Sequence, residues 1–211
     1  QCNKTRLFIA ATQVSSGRLR VFEQGELTAD MVLASACLPL LFQAVEIGGE
    51  AYWDGGYAGN PTLLPLITGT PADDLLLVPI NPRLREPTPT NASDIVDRIN
   101  EVTFNASLLK ELRSLALLKQ LIQDEGRPRG PRGAPRQPLY ERVEALRVHR
   151  LDAEAELSKF GASSKLDTRW SFLQQLHGIG RRAAEDWLRE NFEHLGRRPT
   201  LDLAQEFLPT P

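Results

Sequence analysis

Between Ala92 and Glu125, apolar residues return at three- and four-residue steps: Ile95, Ile99, Val102 and Ala106, then Leu108, Leu112, Leu115 and Leu118. That period lays one apolar stripe along a helix, and a strand, whose side chains alternate, cannot carry it. The spacing predicts one long helix over 92–125, with Thr90, Asn91 or Ser93 as its N-cap. An all-β fold is thereby excluded.

The residues before this helix have a different character. Leu7-Phe8-Ile9-Ala10-Ala11 is a short apolar run of the kind found in buried parallel strands. Ser15-Ser16-Gly17 reads as a turn, and Leu19 to Phe22 alternates as a second strand. Thr28 is placed to cap a helix over Ala29–Ser35, which Pro39 stops. Val45 and Ile47, then Gly48-Gly49, then Ala51-Tyr52-Trp53 predict a hairpin with a glycine turn. Leu63 to Ile67 reads as a short helix after Pro61, and Asp74 to Ile80 as another central strand. Beyond Asn81, three prolines (Pro82, Pro87, Pro89) make an extended connection to the long helix. Residues 126–138, rich in Gly, Pro and Arg, cannot build a core and read as a mobile loop. Leu146 to Leu151 alternates as an edge strand. Thr168–Leu176 and Arg181–Leu195 read as two helices separated by a break. The expected architecture is α/β over residues 1–81, followed by a mainly α-helical extension over 82–211. No internal repeat is visible.

Composition narrows the function classes. Hydrophobic residues make up 41% and charged residues 25%, so a sizeable core is possible. The formal charge of −2 gives no footprint for a polyanionic partner. The longest apolar run, near Met31–Ala44, contains Pro39 and is too short to span a bilayer. Cys2 and Cys37 provide neither a disulfide framework nor metal-ligand spacing, so a reducing, cytoplasmic setting is expected. The chain begins at Gln1, its one methionine is Met31, and a buried strand follows at once. It is therefore expected to be a piece of a longer protein.

One short motif carries chemistry. Asp54-Gly55-Gly56 follows a strand directly, which by itself is ordinary turn chemistry. Its neighbours make the reading sharper. Ala34-Ser35-Ala36-Cys37-Leu38-Pro39-Leu40-Leu41-Phe42 precedes it, a helix end rich in small residues and stopped by proline. Tyr57-Ala58-Gly59-Asn60-Pro61 follows it. With the strand ending in Ala11-Thr12, this ordered series over residues 6–80 resembles the patatin-like phospholipase family. Residues 81–211 resemble the C-terminal extension of a bacterial subgroup of that family, through Arg98 to Asn105 and Ala162 to Leu166.

The resemblance implies a three-layer α/β fold and a serine-aspartate dyad that cleaves lipid or other carboxylic esters. It needs no histidine, metal or organic cofactor. Asp54 would be the catalytic base, with Gly55 and Gly56 as its structural support. A serine hydroxyl is a poor nucleophile until a positioned base takes its proton. A carboxylate suits that task better when partly desolvated, because burial raises its proton affinity. The family's nucleophile sits in Gly-x-Ser-x-Gly, and a glycine-rich loop supplies oxyanion donors. Neither motif occurs in these 211 residues. Both are expected upstream, so the remaining part of the same protein is an implied partner, and this chain alone is expected to be inactive.

Other candidates have plainer readings. Leu176 to Ala184, with Gly178-Ile179-Gly180 followed by Arg181 and Arg182, resembles a helix-hairpin-helix that offers backbone N–H groups to DNA phosphates. A single copy, near-neutral charge and the adjacent Glu185 and Asp186 favour a helix break that packs locally, with no nucleic acid bound. His149, His177 and His194 share no metal spacing and read as surface or satisfied histidines. Arg127, Arg129, Arg132 and Arg136 offer acidic lipid headgroups a peripheral membrane contact, against the plainer reading of a solvated loop. Cys37 lacks a partner histidine and reads as a small buried residue. A non-enzymatic interaction module is the rival to the hydrolase.

Overall fold

The computed structural model describes residues 5–39, 41–60, 62–125 and 138–208. It divides into two units, Gln1–Thr70 with Thr103–Glu111, and Pro71–Val102 with Leu112–Pro211. The chain is mixed α/β, with more helix than strand.

The first unit is built on a four-stranded sheet. β1 (Phe8–Gln13) and β2 (Leu19–Glu23) form a hairpin, closed where Gln13 N–H donates to Arg18 C=O at 2.9 Å. α1 (Ala29–Ser35) begins at Thr28, whose hydroxyl accepts from Met31 N–H, as its N-cap role requires. β3 (Val45–Ile47) and β4 (Glu50–Asp54) form the expected second hairpin. Gly48 and Gly49 turn it with φ of 61° and 83°, a left-handed pair that glycine adopts without steric cost. The strand order is β2-β1-β4-β3, and every pairing is antiparallel.

That pairing corrects the expectation for residues 7–11. β1 is interior and apolar, but both of its neighbours run antiparallel. The five residues between β1 and β2 are a hairpin turn, far short of the crossover that parallel neighbours need. An apolar run carries no information on strand direction, and of these five residues only Ala11 is buried, with Leu7 exposed. Ala11, Phe22, Met31, Ala34 and Tyr52 form the core over this sheet, with Leu27, Val45 and Ile47 packed against it. The Phe22 and Tyr52 rings meet edge-on at 5.6 Å. α2 (Leu64–Gly69) completes the first stretch of this unit, close to the short helix expected at 63–67.

In the second unit, β5 (Asp74–Leu77) pairs in parallel with β6 (Arg147–Arg150) in a separate two-stranded sheet. α3 (Ala92–Glu125) has the length its periodicity predicts. Of the three capping candidates, Asn91 takes the role: its side-chain oxygen accepts from Asp94 N–H at 3.0 Å. Residues 103–111 of α3 belong to the first unit and the rest to the second. The loop expected over 126–138 lies outside the described residues except at its last position, where α4 (Pro138–Ala145) begins. Lys119 of α3 donates to the carbonyls of Val143, Glu144 and Leu146 at 2.7, 3.1 and 2.8 Å. The first two are C-terminal carbonyls of α4, which have no helical donor.

α5 (Glu154–Leu157), α6 (Trp170–Asn191) and α7 (Leu203–Phe207) complete the second unit. α6 corrects the two-helix reading of 168–195. It runs unbroken through Gly178 and Gly180, because neither glycine has a left-handed φ. The helix-hairpin-helix turn is therefore not formed, and the Gly-Ile-Gly stretch lies within the helix. No helix among the described residues is long and apolar enough to cross a membrane.

Candidate functional site

Asp54 is the last residue of β4. It pairs with Ala11 of β1, so an interior strand fixes its backbone on one side. Its N–H donates to Cys37 C=O at 2.9 Å, and its C=O accepts from the buried Thr12 hydroxyl at 2.8 Å. The proline-stopped end of α1 and the Ala-Thr end of β1 thus both hold the strand end that carries the carboxylate. The chain then makes one 3₁₀ turn, Gly55–Tyr57, and Asp54 caps it: Oδ1 accepts from Gly56 N–H at 2.7 Å. This fixes the orientation of the half-buried side chain.

The two glycines are explained by what surrounds them. A Cβ on Gly55 would stand 2.3 Å from Ala10 O and 2.6 Å from Ala10 C, which is backbone and cannot move aside. A Cβ on Gly56 would stand 2.3 Å from the Phe104 ring. Both positions need glycine for close approach. Phe104 also meets the Tyr57 ring edge-on at 5.0 Å.

Local spacing gives no sign that Phe104 serves this site; in the sequence it stands only within the Arg98–Asn105 motif. It belongs to a set of contacts from residues 103–111 of α3 to the loop after Asp54. Ser107 Oγ accepts from Asn60 N–H at 3.0 Å, the Asn60 side chain donates to Phe104 C=O at 3.2 Å, and Glu111 accepts from Leu63 N–H at 2.6 Å. The other half of the motif serves the second unit. The buried Glu101 is held by Arg85 and Arg98, and Arg85 continues to Ser158 C=O and Phe160 C=O.

Tyr57 and Cys37 sense the Asp54 charge. Burial first, and then the Asp54 carboxylate, raise the Tyr57 hydroxyl above the usual tyrosine value. The Cys37 thiol is raised mainly by burial, with a smaller push from Asp54. Cys37 is buried and donates to Gln43 C=O at 3.1 Å, so it is held as a thiol, the form that is not nucleophilic. That agrees with its reading as a small buried residue.

The histidines lie elsewhere. His149 is fully buried in the second unit, with Nδ1 3.0 Å from Thr200 Oγ1 and Nε2 3.0 Å from Asp74 Oδ1. His194 contacts the Arg198 guanidinium, and His177 is exposed on α6. No cluster of metal-ligating residues occurs among the described residues.

The arrangement around Asp54 can do one thing chemically. It presents an oriented, half-buried carboxylate at a strand end, a group able to accept a proton. Comparison with curated proteins finds no match. Residues 10–67, from β1 to α2 and including Asp54, match the model of the patatin-like phospholipase family, and this part of the chain therefore points to a family of lipid hydrolases.

Proposed function

We propose that residues 1–81 are the C-terminal part of a patatin-like, three-layer catalytic domain that hydrolyses lipid or other carboxylic esters, with 82–211 as an extension. Asp54 acts in it as general base. It takes the proton of a serine hydroxyl supplied by a segment outside these residues, the serine oxygen attacks the ester carbonyl, and the alcohol leaves with that proton as the acyl-serine forms. Asp54 then activates the water that releases the acid. Gly55 and Gly56 let the Ala10 backbone and the Phe104 ring close on the turn that orients Asp54. The observation that carries this reading is the placement of Asp54 within the family match. It lies at the end of β4, oriented by Gly56 N–H and flanked by two positions that admit no side chain.

The experiment is an ester assay on the 211-residue chain alone. With no Gly-x-Ser-x-Gly in the sequence, the chain should leave p-nitrophenyl butyrate unhydrolysed. Turnover by the isolated chain that disappears in Asp54→Asn would contradict the assignment of the nucleophile to another segment.

A further inference from the structure

β5 is paired on one side and open on the other. In its ladder with β6, Arg147 N–H donates to Asp73 C=O at 2.7 Å and Leu151 N–H donates to Leu77 C=O at 2.9 Å. A trans peptide points its C=O and its N–H to opposite sides. The N–H groups of Leu75 and Leu77 therefore face β6, while those of Leu76 and Val78, with the Leu76 C=O, face away from it. Among the described residues, none hydrogen-bonds these three outward groups. β6 differs: its outward Val148 C=O accepts from the N–H groups of Thr200 and Leu201 at 3.3 and 3.1 Å, so that edge is covered.

The side chains along the open edge are apolar. Leu76, Val78 and Ile80, at alternate positions, are 43%, 60% and 70% exposed, while Leu77 between them is buried. Sheet edges that face solvent are ordinarily blunted by a charge, a proline or a bulge. No charged residue occurs from Leu75 to Ile80, and Pro79 stands where its missing N–H would face β6 rather than the open side. Parallel strands, moreover, are found in sheets covered on both faces, and read as apolar on both. β5 thus has the character of an interior strand with one neighbour missing.

We propose that a strand of the serine-bearing segment pairs with β5 along this edge, an assignment that rests on the hydrolase reading, which already requires such a segment. The occupant is an extended apolar strand running parallel to β5. Its backbone accepts from Leu76 and Val78 N–H and donates to Leu76 C=O, and its side chains cover Leu76 and Val78. A second copy of this chain fits less well. Two β5 edges related by a two-fold axis meet antiparallel, whereas the β5–β6 pair begins a parallel sheet, and such sheets tend to continue in one sense.

Hydrogen exchange followed by NMR, on these residues joined to the serine-bearing segment, tests the pairing. The Leu75 and Leu77 amides face β6 and serve as the protected reference. Leu76 and Val78 are expected to exchange at least about a hundredfold more slowly than exposed amides. Cross-strand NOEs from these two amides should lead to the serine-bearing segment, and a sample mixing labelled with unlabelled protein should show that they arise within one molecule. Fast exchange of Leu76 and Val78 beside protected Leu75 and Leu77 would overturn the proposal. So would NOEs leading to other residues of the 211 or to a second copy. The readout does not depend on catalysis, so the two readings fail separately. Turnover that depends on Asp54 without this pairing removes the pairing alone, and pairing without such turnover removes the hydrolase reading alone.

Discussion

Gly55 and Gly56 are adjacent and identical in kind, yet the atoms around them make different demands. An added methyl at Gly55 meets the Ala10 backbone, whereas one at Gly56 meets the Phe104 ring, a side chain that a smaller residue can replace. Overpacking of this sort costs roughly 1–3 kcal/mol, and more when the obstacle is backbone. Gly55→Ala should therefore lower the urea midpoint further than Gly56→Ala. Adding Phe104→Leu should recover part of the loss for Gly56→Ala and none for Gly55→Ala. Equal losses in both variants, or recovery in both, would show that Phe104 does not cover the turn. Sequence alone showed that the pair was wanted. It could not show that Phe104, 48 positions after Gly56, is one of the reasons, because a contact between distant segments leaves no trace in local spacing.

Elements whose signal is local were legible before the structure: the glycine hairpin, the Thr28 cap and the whole of α3. Those decided by partners were not. The direction of β1 depends on the strands beside it, and α4 and α7 are short and depend on tertiary support, as with Lys119 beneath the end of α4. The expected break in α6 does not form because glycine only weakens a helix, and over 22 residues the remaining turns outweigh two of them. Gly178→Ala measures this directly. In a continuous helix it should raise stability by about 0.5–1 kcal/mol, since its Cβ meets only the flexible end of Arg182 at 3.4 Å. A loss of stability would restore the hairpin reading.

The parallel pair β5–β6 depends on Asp74. It binds Arg147 at 3.0 and 2.7 Å and also meets Gly196 N–H and His149. The Arg147 hydrogen bonds first, then those from Gly196 and His149, hold its carboxyl well below the usual carboxylate range, against the opposing effect of burial. A carboxylate lowered on folding stabilises fully above its unfolded value of ~3.9, and the benefit fades as pH falls toward the folded value. Asp74→Asn should thus lower the thermal midpoint clearly at pH 7 and progressively less below about pH 4. A gap that widens on acidification would contradict the assignment.

For the molecule as a whole, the Asp54 motif was readable because its parts stand in order within one short stretch. The residues that close around it from α3 are apparent only once distant segments are placed. Ester hydrolysis by this fold requires Asp54 to act as a base rather than only as a turn residue. The decisive measurement is steady-state ester hydrolysis by these residues joined to the segment carrying the serine, with and without Asp54→Asn. Asparagine keeps the shape and can still accept from Gly56 N–H, but it is almost no base. A fall of ~10²–10⁴ in kcat is expected, with KM little changed and the thermal midpoint held. Near-normal kcat with a lowered midpoint would show that Asp54 only shapes the turn, and would contradict the account.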